Sequence, residues 1–279
     1  MIEPELKDDA FLADVAGARM SAAPGRLDVW WLGQSGFLLG HAGELILFDP
    51  YLSDSLTHKY AATDKPHVRM TARVIDPARL DFVRVITTSH NHTDHLDADT
   101  LLPLLAAAPA ATLVGAAANR GFIEQRLGPV AAARLLTLAD GERVTVGGFS
   151  LTAVPAAHEE LRPEFAGFVV SVGPFRIYHS GDTVRYPGMA ERLRSFAVDL
   201  ALLPINGRAP ERRVAGNLDG PEAAQLAHDI GARWVVPCHY EMFAFNTASP
   251  DAFVAACDRL GQRHAVLRAG ARWTMYAAS

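Results

Sequence analysis

Residues 87–97 constrain the fold of this 279-residue chain more than any other segment. They read TTSHNHTDHLD and contain three histidines and an aspartate in the order H-x-H-x-D-H. An apolar run typical of a buried strand, residues 82–86, leads directly into them, and a helical pattern begins near Asp99. Polar side chains placed in this way emerge at the carboxyl end of a strand, where open α/β sheets bind their ligands. The segment therefore predicts an α/β fold with a functional site at one edge of a sheet.

The residue types in this segment indicate a metal site. Strand alternation would point His90 and His92 the same way, and the turn that follows can aim Asp94 and His95 at a neighbouring point. Imidazole and carboxylate are ligands for Zn²⁺, Mn²⁺ and iron, and gathering them without a metal would desolvate several polar groups. Such a pattern arises by chance on the order of once per thousand sequences of this length. The spacing suits two adjacent metal ions.

Strand and helix patterns alternate along the rest of the chain. Strands are predicted at residues 27–32, 44–48, 82–88, 143–146, 149–154, 168–172, 175–178, 198–203, 234–237 and 272–276. Helices are predicted at residues 99–107, 116–127, 187–196, 221–230 and 250–260. The glycine-containing pairs 147–148 and 173–174 have hairpin spacing, and the alanine-rich stretch 106–118 is expected only to pack closely. Together these patterns predict mixed sheets that helices cover on their outer faces.

Composition excludes several classes of protein. The chain carries 26 Lys and Arg against 31 Asp and Glu, so it lacks the basic footprint of a bulk nucleic-acid binder. The longest stretch of small apolar residues, 101–118, is interrupted by two prolines, and the acidic first ten residues do not resemble a signal peptide. Cys238 and Cys257 form no C-x-x-C pair. We therefore expect a cytoplasmic single domain over residues 1–279, without disulfides or membrane contact, and compatible with a homo-oligomer.

Further segments resemble the metallo-β-lactamase superfamily. The H-x-H-x-D-H motif is followed by His158, Asp182 and His239 in the order found in that family. WLGQSGF at 31–37 and FDPYL at 48–52 are similar to its opening strands, and SGDT at 180–183 is similar to its bridging-aspartate loop. LPINGR at 203–208, GN at 216–217 and PCHYEMFAFNT at 237–247 most resemble the branch that contains L-ascorbate-6-phosphate lactonase. The resemblance covers residues 27–276, nearly the whole chain.

This resemblance implies a four-layer αββα sandwich with a dinuclear metal site at one edge of its two mixed sheets. The implied ligands are His90, His92 and His158 for one ion, Asp94, His95 and His239 for the other, and Asp182 bridging both. Asp49 would orient a ligand histidine from behind, as an acidic residue does in the family. His179, by contrast, is interpreted as an ordinary residue at a strand end.

The ligand set predicts hydrolysis. Two divalent ions lie roughly 3.5 to 4 Å apart in such sites and lower the pKa of a bound water, so that hydroxide exists near neutral pH. We expect the ions to stabilise charge that develops on an attacked carbonyl or phosphoryl group, with Asp94 relaying a proton and Asp182 holding both ions. Imidazole-rich ligation suits Zn²⁺, whereas the resemblance to the lactonase implies Mn²⁺.

A second polar segment follows the strand predicted at 198–203. An arginine fork beside an asparagine amide is well shaped to hold a phosphate, so we expect a small anionic, phosphorylated substrate. The residues expected to bind it are Asn206, Arg208, Tyr240 and Asn246, with the phosphate on Arg208. Arg212 and Arg213, in the loop that follows, are interpreted as solvated surface residues.

Other functions fit the sequence less well. The nucleophile motif G-x-S-x-G fails because Phe37 stands where its last glycine is required, and no Walker or dinucleotide-binding glycine loop is present. Di-iron redox proteins on the resembling scaffold carry a glutamate where this chain has His92. A binding module without metals would not be expected to keep every ligand position filled. Among hydrolases, a phosphorylated sugar lactone and a small phosphodiester or cyclic nucleotide both stay open as substrates, since one hydroxide attacks either.

Overall fold

The computed structural model describes residues 1–278, which form thirteen strands and seven α-helices. The strands are β1 Arg26–Gly33, β2 Gly36–His41, β3 Glu44–Phe48, β4 Val85–Thr88, β5 Thr112–Ala116, β6 Leu135–Leu138, β7 Arg143–Val146, β8 Phe149–His158, β9 Glu160–Val172, β10 Phe175–His179, β11 Leu200–Pro204, β12 Trp234–Cys238 and β13 Arg272–Tyr276. The helices are α1 Asp8–Met20, α2 Ser55–Tyr60, α3 Ala98–Ala107, α4 Arg120–Ala132, α5 Met189–Arg194, α6 Gly220–Asp229 and α7 Asp251–Leu260.

The first sheet has seven strands in the order β13-β1-β2-β3-β4-β5-β6. Neighbours from β13 to β3 are antiparallel, and neighbours from β3 to β6 are parallel. Parallel neighbours need long crossovers, which α3 and α4 supply on either side of β5. All four residues of β4 are buried, as expected of a parallel strand that is covered on both faces.

The second sheet has six strands in the order β12-β11-β10-β9-β8-β7. Strand β9 is antiparallel to both β8 and β10, so β8 and β10 run in the same direction. Strands β10, β11 and β12 are parallel to one another, with α5 and α6 as their crossovers. The carboxyl ends of β8, β10, β11 and β12 therefore meet at one edge of this sheet.

A continuous cluster of buried apolar side chains joins the two sheets and the helices. It includes Phe37 and Phe48 from the first sheet and Phe168 and Ile177 from the second, all at most 1% exposed. The helices that cover the sheets are fixed by local signals, as at α6, where Asp219 and Glu222 form a reciprocal capping box. The predicted αββα sandwich of mixed sheets is confirmed.

Some predicted boundaries were too short, and some elements were missed. Strands β8 and β9 form a long hairpin that reaches His158, beyond the predicted 149–154 and 168–172. Strands β2, β5 and β6 and helices α1 and α2 were not predicted, and α4 begins later than residue 116 because β5 occupies 112–116. Within residues 1–278, no helix is long and apolar enough to cross a membrane. Cys238 and Cys257 are buried free thiols.

Candidate metal centre

The candidate ligands all follow the carboxyl ends of strands. Grouped by the preceding strand they are His90, His92, Asp94 and His95 after β4, His158 at the end of β8, Asp182 after β10, and His239 after β12. Strand β4 belongs to the first sheet and the other three to the second. The site is therefore assembled where the ends of the two sheets meet.

The ligands gather into two adjoining groups. Within each group the potential ligand atoms all lie within 4.8 Å of one another: His90, His92 and His158 form the first group, and Asp94, His95, Asp182 and His239 the second. Asp182 Oδ1 lies 3.2 Å from His95 Nε2, and Asp182 Oδ2 lies 3.7 Å from His158 Nε2. One carboxylate therefore faces both groups, which is the placement expected of a bridging ligand.

Asp49 holds His95 from behind. Its carboxylate is fully buried and accepts hydrogen bonds from His95 Nδ1 at 2.8 Å, Thr87 Oγ1 at 2.8 Å and the Ser89 backbone N–H at 3.1 Å. Burial opposes ionisation, but His179, His95 and Ser89 outweigh it and lower the pKa of Asp49. The backbone of Asp49 is left-handed, with φ of 34°, a strained conformation that this network maintains. An ionised Asp49 fixes the tautomer of His95 with Nε2 towards the second group.

His90 and His158 of the first group are also held by hydrogen bonds at Nδ1. His158 Nδ1 donates to Gly216 O at 3.0 Å. The Ser89 hydroxyl donates to Asp49, so its oxygen accepts a hydrogen bond from His90 Nδ1 at 3.0 Å. In both rings Nδ1 is occupied, which leaves Nε2 as an unprotonated ligand atom.

The donor atoms fit divalent metal ions. Within residues 1–278, His90 Nε2, His95 Nε2 and Asp182 Oδ1 are buried and make no hydrogen bond, although the last two atoms lie 3.2 Å apart. A buried polar atom without a partner costs about 1–3 kcal/mol, and three in one site are not expected in a merely structural cluster. Imidazole nitrogens and carboxylate oxygens at this spacing are ligands that Zn²⁺, Mn²⁺ and iron accept.

The two groups differ in protonation before a metal binds. Burial and the neighbouring His95 hold the pKa of His90 well below its ordinary value, so His90 is neutral. For His239, burial is outweighed by Asp182 and Asp94, which raise its pKa to about 9. Metal binding to the second group must therefore displace protons from imidazole.

Gly181 lets Asp182 reach its place. Its φ is +59°, and a Cβ atom there would lie 2.6 Å from Ser89 Cβ and 2.9 Å from Ala166 O. Ser89 belongs to the loop that carries the β4 ligands, and Ala166 lies on β9. Only glycine allows the chain after β10 to pass this close to both.

Gln34 was not predicted as a site residue. It lies in the turn between β1 and β2, is 1% exposed and has a left-handed backbone with φ of 50°. Its side-chain Nε2 donates to Asp94 Oδ2 at 2.8 Å and lies 2.9 Å from His239 Nε2, while its backbone carbonyl oxygen accepts a hydrogen bond from the His239 backbone N–H. The Asp94 carboxylate can only accept, which fixes the orientation of the amide. No sequence pattern signalled this contact.

A cavity of about 330 Å³ is lined by ligands of both groups. Gln34, His92, Asp94, His158, Asp182 and His239 form its base. Helix α2 and the loop after it contribute Lys59, Tyr60, Lys65 and His67 to its wall. His67 is buried, stacks on Tyr60 at 4.5 Å and contacts Phe243 edge-on, although no sequence pattern distinguished it from the other histidines.

Of the predicted substrate residues, Asn246 lines this cavity. Asn206 is buried behind it and donates through Nδ2 to Asn246 Oδ1 at 3.0 Å. Arg212 Nη1 donates to the same oxygen at 2.6 Å, so this side chain supports the wall and is not a free surface group. Arg213 is exposed and paired with Asp64.

Arg208 and Tyr240 lie outside the residues that line the cavity. The guanidinium of Arg208 is paired with Glu222 on α6 and donates to Asn217 O at 3.2 Å. Tyr240 is buried, stacks on Trp31 at 4.3 Å and donates its hydroxyl to a backbone carbonyl. The sequence segments around Arg208 and Tyr240 did not indicate that Glu222 would pair with the first or that Trp31 would stack on the second.

His179 and Cys238 sit beneath the site as packing residues. His179 Nε2 lies 3.0 Å from Ser35 O, and its ring stacks on Phe48 at 5.0 Å. Cys238 Sγ lies 4.0 Å from Ser35 Oγ. Burial and the nearby Asp182 raise the pKa of the thiol well above its ordinary value, so Cys238 stays protonated and neutral.

Comparison with known proteins supports the fold and identifies the family. The model of the β-lactamase superfamily domain matches residues 44–240. A UPF0173 metal-dependent hydrolase of Rubrobacter xylanophilus is 30% identical over 246 residues, which cover 84% of this chain and 89% of that protein. Two solved structures share the fold. Igni18, a metallo hydrolase from Ignicoccus hospitalis, has a TM-score of 0.68 at 20% identity, covering 91% of this chain and all of that one.

The second structure is CmlA, a di-iron β-hydroxylase from Streptomyces venezuelae. It has a TM-score of 0.66 at 16% identity, with 91% of this chain and 55% of that chain covered. At this identity the likeness extends to the fold and no further. The family model and the Rubrobacter relative each cover most of this chain, and the chain therefore belongs to the β-lactamase superfamily and, within it, to the UPF0173 metal-dependent hydrolases.

Proposed function

We propose that this protein is a dinuclear hydrolase that acts on a small anionic substrate. The observation that carries the proposal is the position of Asp182, whose carboxylate lies within 4.0 Å of His95 and His239 in the second group and also of His158 in the first. The first ion would be held by the three histidines of the first group and the second by Asp94, His95 and His239, with Asp182 shared. Divalent ions bound in this way supply a nucleophilic hydroxide and stabilise negative charge on the attacked group.

The residues of the chain have separable tasks in such a reaction. Asp94 lies at the base of the cavity with Oδ2 bonded to Gln34, so it is placed to accept or relay a proton there. The ring of Phe165 packs edge-on against His92 and His158 at 6.2 and 5.6 Å and so supports the positions of these two rings. Asn246, held by Arg212, offers its amide to the substrate in the cavity.

The favoured substrate is a phosphorylated sugar lactone. The support is the similarity of segments 203–208, 216–217 and 237–247 to the L-ascorbate-6-phosphate lactonase branch, and the excess of cationic side chains in the cavity wall. That branch favours Mn²⁺, while the imidazole-rich ligands suit Zn²⁺. The second candidate is a phosphodiesterase acting on a small phosphodiester or cyclic nucleotide, because the same activated hydroxide would serve both reactions. We further propose a cytoplasmic location.

Metal analysis combined with a substrate panel tests the proposal. Protein purified without added metal is reconstituted with Zn²⁺ or Mn²⁺, analysed for bound elements, and assayed on phosphorylated lactones, phosphodiesters and acyl thioesters. We expect two ions per chain and hydrolysis that Asp182→Asn abolishes, while Asp140→Asn, an exposed ion-pair residue, retains it. Fewer than about one ion per chain after reconstitution would refute a two-metal site. Iron accompanied by oxidase activity without hydrolysis would indicate redox chemistry.

A further inference from the structure

The acidic side chains that line the cavity are candidate metal ligands, whereas the basic ones are not. The cavity is lined by two carboxylates, Asp94 and Asp182, and both belong to the second group of ligands. Three cations share the same lining: Lys59, Lys65 and Arg126. With divalent ions bound, no carboxylate of the lining is left to neutralise these cations. Low-dielectric walls focus such a field on an anion that enters.

These three cations also lack carboxylate partners outside the cavity. Within residues 1–278, no Asp or Glu oxygen lies within 4.0 Å of their charged nitrogens. Arg208, in contrast, is neutralised by Glu222. The free positive charge therefore lies beside the metal groups and not on the residue that the sequence favoured.

Lysine is rare in this chain, which makes its placement informative. The sequence holds three lysines, Lys7, Lys59 and Lys65, whereas every other basic residue is arginine. Two of the three line the cavity, and Lys7 is paired with Glu3 on the surface. A lysine is a compact charge on a flexible stem and can follow a ligand that a rigid guanidinium cannot.

Arg126 is held firmly beside the metal-ligand loop. Its Nη1 donates to Leu96 O at 2.9 Å and Asn91 O at 3.3 Å, and its guanidinium stacks on Phe122 at 4.6 Å. These bonds occupy one nitrogen and hold the group against the loop that carries the metal ligands. Nε and Nη2 have no hydrogen-bond partner in the described chain, and together they form the edge that binds two oxygens of one anion.

Lys59, on helix α2, also contacts the loop that carries the metal ligands. Its Nζ donates to Thr93 Oγ1 at 3.3 Å, and Thr93 stands between the ligands His92 and Asp94. Lys65 follows in the loop after α2, where its Nζ donates to the carbonyl of Arg213. A fork with two free donors and two ammonium groups matches an anion with three exposed oxygens better than a planar carboxylate.

We infer that Arg126, Lys59 and Lys65 form a subsite for the phosphate of a phosphomonoester, and that this phosphate flanks the metal-ligand loop while the reacting bond lies over the metal groups. The inference rests on the proposed function for the identity of the reacting bond. Arg126 and the two lysines thus take the phosphate-binding role that the sequence pattern favoured for Arg208.

Lysine footprinting tests the subsite without an assay of activity. The metal-loaded protein is acetylated with an N-hydroxysuccinimide ester, with inorganic phosphate, with acetate, or with chloride at equal ionic strength, and each lysine is followed by mass spectrometry. We expect phosphate to slow acetylation of Lys59 and Lys65 several-fold and to leave Lys7 unchanged. Acetate and chloride should protect neither residue of the cavity.

Variants of Arg126 and Arg208 test which of the two arginines binds the phosphate. Arg126→Lys keeps the charge but removes the fork, so the phosphate concentration for half-protection should rise about tenfold, the scale of one hydrogen bond to a charged group. Arg208→Gln should leave that concentration unchanged. Metal content and melting temperature, measured for both variants, show whether the metal-ligand loop is intact when Arg126 is replaced. Lys59→Gln provides a second test of phosphate binding at a residue that does not brace the loop through its backbone carbonyls.

Each outcome decides the inference. Equal protection of Lys7, equal protection by acetate, no protection at all, or loss of protection in Arg208→Gln alone would overturn it. If phosphate protects both cavity lysines but no substrate of the panel is hydrolysed, the proposed function fails and the subsite stands. If hydrolysis is found but phosphomonoesters are no better as substrates than their dephosphorylated analogues, the subsite is wrong and the hydrolase stands.

Discussion

At the scale of single residues, the site depends on side chains that hold other side chains. Asp49 fixes His95, and Gln34 fixes Asp94 while its backbone carbonyl is bonded to the ligand His239. Both supporting residues have left-handed backbones, an uncommon conformation for residues other than glycine. Such strain is maintained by several hydrogen bonds at once, so both supporting residues are expected to tolerate substitution poorly.

Asp49→Asn should weaken the second group selectively. The amide cannot accept from His95 with the strength of a carboxylate, so we expect the ion at the second group to lose about 10–100-fold in affinity. Titration with a competing chelator, which resolves two binding steps, measures the change. Asp140→Asn serves as the exposed control. Identical steps in Asp49→Asn and the control would mean that Asp49 does not orient a ligand.

Gln34→Leu should release Asp94 without removing a ligand. The apolar side chain of similar size leaves the carboxylate without its 2.8 Å donor, so the second ion binds less tightly and Asp94 is less well placed for proton transfer. Titration with Co²⁺, followed by visible absorption, separates the two groups. Gln125→Leu, on the exposed side of α4, is the matched control. A normal spectrum with unchanged stepwise affinities would show that Gln34 only fills space.

At the scale of elements, the sequence was informative where a strand ends in a dense ligand pattern. The loop after β4 was predicted residue by residue, because imidazole and carboxylate at that spacing have few other uses. Helix α2 was missed, since its six residues show no complete apolar period, and Lys59, Lys65 and His67 were missed with it. Strand β5 was hidden in the alanine-rich stretch, where small residues favour neither pattern.

Local sequence also cannot show what a long side chain will meet. Arg208 follows a strand as a phosphate-binding residue would, but α6 brings Glu222 against it. Tyr240 follows a ligand directly, yet Trp31 from the distant β1 buries it. Both contacts come from tertiary packing, which no spacing rule in the segment encodes.

Two loops meet beside the cavity. Arg213 pairs with Asp64 and accepts a hydrogen bond from Lys65 at its carbonyl, which links the loop after α2 to the loop that contributes Val214 to the cavity. Arg213→Gln should raise KM several-fold and leave the melting temperature unchanged, because an exposed ion pair adds little stability. Arg192→Gln, an exposed pair with Asp140, is the control. An unchanged KM would show that the link does not shape the cavity.

At the scale of the whole molecule, the metal-free protein should respond to alkaline pH. Burial lowers the pKa of His239, but Asp182 and Asp94 outweigh it and raise that pKa from 6.5 to about 9. A raised pKa gives stability that is complete below about 6.5 and is lost as pH rises through about 9. Melting temperatures of chelator-treated protein between pH 6 and 10 measure the loss, and His228→Gln, an exposed histidine, is the control.

Bound metal should remove this loss of stability, because ligation replaces the proton on His239 and stabilises only the folded state. The reconstituted protein is therefore expected to melt at higher temperature than the metal-free protein, with the gap widening from pH 7 towards 9. Parallel pH profiles for the two forms would contradict a protonated imidazole in the empty second group.

The pairing of β13 with β1 has a consequence for synthesis on the ribosome. Arg26 lies opposite Tyr276, so the strand that precedes Gln34 lacks its outer neighbour until almost the whole described chain has emerged. A nascent chain would meanwhile present β1, with its buried tryptophans, as an open sheet edge that can pair with other chains. Contacts between such distant residues also form slowly. Truncation before residue 272 would therefore leave β1 without this neighbour and the chain more prone to aggregate.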